Sequence, residues 1–376
     1  MIWLYSLENS RGCCFVVFVF VFSFSPFLRF SVSPFSPFSF LSQAAYSGAL
    51  HNCHELIFAC MWSGNYKVGA EALNRLKILC KTSGVERMPT RIEPFGLAQY
   101  HFDIRFGRWE NILSRPILPE MNDLPEMNEL EQTGQVSGRA FYATTHAHQC
   151  YARGVAFAAL GNVDQAKVEL VNLVDARKSP LLIDDGALSL RRMHNVPEQK
   201  KLAIAEMVLT GEIQYREGLY AESFETRSRG VELDDNLPFD EPWGWMVPVR
   251  HALAALLYER GRTSEDASML RRARDVCRDD LRMHPNNVWS LVCLRDCLVE
   301  MDKCEEEDKV NIKVKEELVS VLALIDAESK RTGVAPPGAS CACAVKSWKS
   351  PMVVIGREME ETKMEAGGCC TGSNGM

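Results

Sequence analysis

Residues 148–180 read HQCYARGVAFAALGNVDQAKVELVNLVDARKSP, and the spacing of their small and apolar residues decides the fold. Gly154 lies seven residues before Gly161 and Ala166 five after it, so a turn at Gly161 brings two helices together where neither carries a bulky side chain. Leu170, Leu173 and Val174 continue a buried stripe at steps of three and four, and Pro180 ends the second helix. Such a hairpin cannot bury both of its faces alone. It needs neighbours of its own kind.

The sequence supplies them. MVLTGEIQYREGLYAESFETRSRGVELDD, residues 207–235, has Gly211 seven residues before Gly218 and Ser223 five after it. PVRHALAALLYERGRTSEDASMLRRARDVCRDDLRMHPNN, residues 248–287, places Ala254 seven before Gly261. Pro248 suits its first helical turn. Its second helix is seven residues longer than the first copy's spacing gives, which is close to two turns, so its buried face survives the insertion. ALHNCHELIFACMWSGNYKVGAEAL, residues 49–73, forms a fourth unit around Gly64 with Gly69 as the small residue after the turn. GLAQYHFDIRFGRWENIL, residues 96–113, is a weaker fifth around Gly107, because Tyr100 and Ile112 stand where small residues are expected.

The turn glycines are 43, 54, 57 and 43 residues apart, longer than the ~34 of a regular tetratricopeptide repeat, so the array is degenerate and interrupted by loops. These residues resemble tetratricopeptide repeat proteins. More narrowly, GVELDDNLPFDEPWGWMVPVRHALAALLYERGR, DDLRMHPNNVWSL, ALHNCHELIFACMWSG and ASCACA are similar to an uncharacterised group of such proteins, over about residues 47 to 344. Members of that group usually carry further repeats before the His-Asn-x-His helix, often with a His-Met-Pro-x-His motif. A Phe/Ser/Pro-rich segment stands in that place here. The fold expected is all-α, an α-solenoid of tetratricopeptide-like hairpins over residues 47–302, with a closing helix within 303–332 whose Val314, Leu318, Val321 and Ile325 cover the last face.

The flanks read differently. Residues 1–46 contain CCFVVFVFVFSFSPFLRFSVSPFSPFSFLS, whose strictly apolar run falls short of the ~20 residues needed to span a bilayer. As a secretory signal its Glu8 cancels Arg11, and the nearest small-residue site is far downstream. Its residues have pyrimidine-rich codons, so the expectation is a disordered segment or non-coding sequence read through a wrong start. Residues 333–376 read as a flexible, cysteine-containing tail. LPEMNDLPEMNELEQTGQVSG, residues 118–138, reads as an acidic surface insertion.

A formal charge of −7 lacks the basic excess of a nucleic-acid binder. The fourteen cysteines are scattered, which suits free thiols in a reducing compartment and places the chain in the cytoplasm. No Walker A loop, dinucleotide-binding glycine pattern, nucleophile elbow or His-Glu-x-x-His helix is present, and no cofactor is expected. Cys293 and Cys297 read as small core residues. Asp240 and Glu241 beside Pro242 read as turn and helix-start residues, and Trp243 and Trp245 as packing or rim residues.

The histidines carry the functional expectation. Positions 13, 10, 6 and 3 residues before a turn glycine share one face of the first helix of a hairpin, and in tetratricopeptide arrays that face lines the concave groove. His51, His54, His101, His148 and His251 take such positions, five of the eight histidines in the chain. Phe58, Tyr151, Glu212, Tyr215 and Tyr258 join them by the same rule. The leading reading is a non-enzymatic scaffold binding a protein or peptide in this groove. The alternative is a metal-dependent enzyme or metal carrier using the groove histidines with Glu212 or the Cys341-x-Cys343 tail. The same positions also suit histidines that hydrogen-bond across adjacent helices and fix the superhelix. The Lys/Asn/Arg pattern that holds a chaperone's C-terminal carboxylate is absent from them.

Overall fold

The computed structural model describes residues 3–8, 14–19, 40–82, 89–116, 143–178, 196–304, 310–339 and 341. The chain divides into two compact units, residues 1–45 and 46–376. The first contains an antiparallel hairpin of β1 (Trp3–Glu8) and β2 (Cys14–Val19), with Trp3 opposite Val19 and Glu8 opposite Cys14. The insertion at residues 118–138 and the chain beyond residue 341 lie outside the described residues, as do residues 20–39.

Every regular element described in the second unit is a helix, in agreement with the all-α expectation. In order these are α1 (Phe40–Ser63), which starts before the unit boundary, α2 (Tyr66–Thr82), α3 (Pro89–Arg105), α4 (Trp109–Leu113), α5 (Ala143–Ala159) and α6 (Val163–Arg177). They continue with α7 (Glu198–Arg216), α8 (Tyr220–Asp235), α9 (Val249–Thr263), α10 (Ala267–Met283), α11 (Val288–Cys304) and α12 (Val310–Thr332). Among the described residues no helix is long and apolar enough to cross a membrane.

One cap recurs at the turns. Gly64, Gly107, Gly161 and Gly218 have φ of 72°, 64°, 87° and 84°, the left-handed region that a residue without Cβ enters freely. In each case the next amide donates back five residues, as Asn162 N does to Phe157 O at 2.8 Å and Leu219 N to Gln214 O at 2.9 Å. The fifth turn departs from the expectation. Gly261 lies inside α9, and the left-handed residue is Glu265, with φ 54° and Asp266 N donating to Gly261 O at 2.9 Å. Four of the seven extra residues therefore extend the first helix by about one turn. A Cβ on Gly261 would stand 3.0 Å from the Leu270 backbone nitrogen, which is why a small residue is needed there.

The other small residues sit where helices touch. A Cβ on Gly154 would meet the Leu209 methyls at 2.6 and 2.8 Å, one on Gly211 would meet Arg227 Cγ at 2.8 Å, and one on Gly69 would meet Phe102 at 2.4 Å. Ser223, opposite Gly211, donates its hydroxyl to the Gly211 carbonyl at 2.6 Å. Three apolar clusters follow one another along the chain, one centred on α1–α3, one on α3–α7 and one on α7–α12. In α12, Val314, Val321 and Ile325 are buried and Leu318 is half-buried. Early and late helices also meet. Trp289 Nε1 of α11 donates to the Met61 carbonyl of α1 at 2.9 Å, and the Arg105 guanidinium of α3 lies 3.5 Å over the Trp289 ring.

Cys53, Cys60, Cys80, Cys150, Cys277, Cys293 and Cys297 are free thiols. Cys341 is disulfide-bonded, which corrects the free-thiol expectation at that residue.

Candidate functional site

Of the ten residues expected along the groove, His51 and Phe58 are half-buried. His54, His101, His148, Tyr151, Glu212, Tyr215, His251 and Tyr258 are buried. The expected groove wall is thus covered where these side chains stand. For His101 and Tyr151 the cover is the connection between α8 and α9. Trp245, 1% exposed, seats its ring 4.8 Å from that of His101 and 5.3 Å from that of Tyr151. Asp234 straps this connection at both ends, one carboxylate oxygen accepting from Trp243 Nε1 at 3.0 Å and the other from the Val249 amide at 3.2 Å. Burial raises the Asp234 pKa to about 6, against the pull of these two donors.

A cleft remains between the helices and this connection, with about 340 Å³ of empty space including its mouth. Its interior is narrow, with room for about one or two waters. His54 of α1, Leu97 and His101 of α3, His148 of α5 and Lys201 of α7 line one side. Asp240, Pro242, Trp243, Gly244 and Met246 line the other. Counted back from the turn glycines, the helical residues stand at positions 10, then 10 and 6, then 13, then 17. Three of the expected histidines therefore do converge on one cleft. Gly244 is required where it is, since a Cβ would stand 2.7 Å from Val196 Cγ2.

The chemistry of these groups follows from their burial. His148 Nδ1 is 3.1 Å from the Thr144 carbonyl, which only accepts, so Nδ1 carries the proton and Nε2 is a bare acceptor. Nε2 is buried and without a hydrogen-bond partner. Desolvation, with the charge of Lys201 beside it, lowers the His148 pKa to about 3. His101, 3% exposed and with its ring 6.0 Å from that of His148, is held well below the usual imidazole range by the same desolvation, then by His148 and Lys201. Its Nδ1 has no hydrogen-bond partner. Lys201 pairs with Glu198 one turn earlier. Both histidines are thus neutral hydrogen-bonding groups, far from the pKa near 7 that suits a general base.

His251 belongs to a second cluster. Its Nε2 lies 3.0 Å from Asp280 Oδ2 and its Nδ1 3.0 Å from Arg105 Nη1. Arg105 only donates, so Nδ1 accepts and the proton sits on Nε2. Asp280 also accepts from the Ser290 hydroxyl at 2.5 Å and lies 2.9 Å from His284 Nδ1. A Ser, a His and an Asp meet here, yet the hydroxyl is bonded to the carboxylate rather than to the imidazole. A catalytic triad needs the reverse. The cluster holds α3, α9, α10 and α11 together.

The remaining groove residues are committed to packing or ion pairs. Glu212 accepts from Arg216 Nη2 at 2.7 Å and from Arg227, and Tyr215 packs its ring 5.1 Å from Tyr220. Phe58 packs 5.4 Å from Trp62, and His51 Nε2 is 3.9 Å from Glu55 Oε1. Tyr258 belongs to the α7–α12 core. Among the described residues no group of three or more His, Cys, Asp or Glu side chains could hold a metal ion. Cys277, Cys293 and Cys297 share the same core, and burial holds the Cys277 and Cys297 thiols protonated.

Lys201, Asp240 and Gly244 were not among the residues read as groove. Lys201 had a signal: it lies one turn further back on the stripe of Ala205, Val208 and Glu212, all buried. Comparison with protein-family models, with curated proteins and with solved structures finds no match to this chain.

Proposed function

We propose that this chain is a non-enzymatic protein- or peptide-binding scaffold built of degenerate tetratricopeptide-like hairpins, with its recognition site at the cleft of His101, His148, Lys201 and Asp240. The observation that carries this reading is the origin of the lining: successive hairpins present the same face of their first helices to one cleft. Recurrence of one cap at five turns supports the relation between hairpins. The cleft is too narrow within to swallow a peptide, so it would take one side chain or chain end while the rest lies over the rim formed by Asp240–Met246. Neutral, low-pKa imidazoles favour binding over proton transfer.

The test is selection of peptides from a random displayed library on the full chain, followed by binding to the Trp243→Ala and Met246→Lys variants. The reading expects selected peptides that lose tenfold or more in affinity with both variants. Peptides that bind both variants as tightly as the parent, or a library that yields no binder, would overturn it.

A further inference from the structure

Two side chains of the cleft offer opposite hydrogen-bonding roles, and neither can exchange its role for the other. His148, 0% exposed, lines the cleft. Its Nδ1 proton is engaged by the Thr144 carbonyl at 3.1 Å, which leaves Nε2 a bare acceptor, buried and without a hydrogen-bond partner. To turn Nε2 into a donor the ring would have to give up Thr144 or gain a second proton, and burial holds its pKa down to about 3. An acceptor left unpaired at this depth costs about 1–3 kcal/mol and calls for a donor. Lys201 is the counterpart on the same side of the cleft. Its ammonium has three N–H groups and accepts nothing. It is 6% exposed, and Glu198 one turn earlier is its ion-pair partner. Trp243 Nε1 is engaged by Asp234, so that side chain adds a ring to the lining and not a donor. A group that both donates and accepts, and carries no charge, matches this pair.

We propose that the cleft binds a primary carboxamide, from an asparagine or glutamine side chain or an amidated chain end, whose N–H donates to His148 Nε2 and whose carbonyl accepts from Lys201 Nζ. This rests on the scaffold reading and names the chemistry of the group that the cleft admits. The charged isosteres of a carboxamide are each refused by one member of the pair. A carboxylate turns an oxygen lone pair toward His148 Nε2, which has no proton to offer. An amidinium turns N–H groups and a positive charge toward Lys201, which accepts nothing. The narrow interior, with room for about one or two waters, suits the single nitrogen and single oxygen of the carboxamide head.

The probes are acetamide, sodium acetate and acetamidinium chloride, which share size and shape and differ in donors and charge. Each is titrated at constant ionic strength into the full chain carrying 15N-labelled histidine, and the imidazole nitrogen spectrum is read. Acetamide should shift the His148 Nε2 resonance in the direction of a hydrogen-bonded acceptor, saturably, and should bind about tenfold or more tightly than either ion. Lys201→Met keeps much of the side chain's length and removes the ammonium, so in that variant the preference for acetamide over acetamidinium should fall by about tenfold or more. Nα-acetyl-glutamine methylamide and Nα-acetyl-alanine amide then separate the two sources: tighter binding of the first assigns the site to a side chain, of the second to an amidated chain end. Acetate or acetamidinium binding as tightly as acetamide, or no saturable response to acetamide, as when water alone serves His148, would overturn the proposal. Because the parent spectra decide by themselves, loss of folding in the Lys201 variant would not rescue it. If selected peptides bind at the cleft but keep their affinity when every carboxamide is removed, the carboxamide assignment fails and the scaffold reading stands.

Discussion

His148→Phe should make the protein more resistant to mild acid than its parent, by an amount that burial of this one imidazole sets. In the folded chain the His148 pKa is lowered to about 3, whereas in the unfolded chain it returns to ~6.5. Between those values the unfolded chain binds a proton that the folded chain refuses, so stability is lost as the pH falls. The loss begins near pH 6.5 and grows by about 1.4 kcal/mol per pH unit. At pH 7 it is about 0.2 kcal/mol and at pH 5 about 2 kcal/mol. Phenylalanine keeps a planar ring in the site and removes the titration. Urea unfolding of parent and variant at pH 7 and pH 5 measures the difference. Glu55, Asp234 and Asp296, whose carboxyl pKa values are raised, push the other way, gaining stability as the pH falls through about 7 to 6. They are present in both proteins and cancel. The variant should gain about 2 kcal/mol relative to the parent between the two pH values, whatever its starting stability. A relative stability that is the same at both, to within about 0.5 kcal/mol, would refute the assignment of a buried neutral His148.

Gly154→Ala should cost about 1–3 kcal/mol, because the new methyl would stand 2.6 Å from a Leu209 methyl. Gly96→Ala in α3 is the matched control, since a Cβ there meets nothing within 4 Å, and its thermal midpoint should hold or rise. Glu265→Gly should stabilise by about 0.5–1 kcal/mol, since Glu pays for a left-handed φ of 54° that glycine adopts freely; a lower melting temperature would contradict the cap assignment. Trp289→Phe removes the donor to the Met61 carbonyl and should cost about 1–2 kcal/mol. Hydrogen exchange in that variant should accelerate first at the end of α1, and an unchanged α1 would argue against the contact.

What could be read in the sequence was local, and what could not was held by distant partners. Gly64, Gly107, Gly161 and Gly218 mark their turns because the left-handed cap strongly favours glycine. The fifth turn was misplaced for the same reason: Glu265 occupies the cap at a cost, while the nearby Gly261 answers a different demand, the approach of Leu270. The histidine face was legible, since helical spacing fixes direction. Its exposure was not, because residues 237–246 have no period that says which surface they cover, and Trp245 closes over His101 and Tyr151. The bonds that His251 makes across helices were not legible residue by residue. Its partners Arg105 and Asp280 stand 146 and 29 residues away, and no spacing rule joins them. Lys201 was within reach, one turn beyond the last position counted.

On the proposed reading, partners are recognised at the cleft between α3, α5, α7 and the α8–α9 connection. Hydrogen–deuterium exchange of the full chain, with and without a saturating selected peptide, locates the contact. Protection should concentrate in residues 237–246, in the first turn of α7 and around His101, with little change along α12. Protection confined to α12 or to α6, with the α8–α9 connection exchanging as fast as in the free chain, would contradict it.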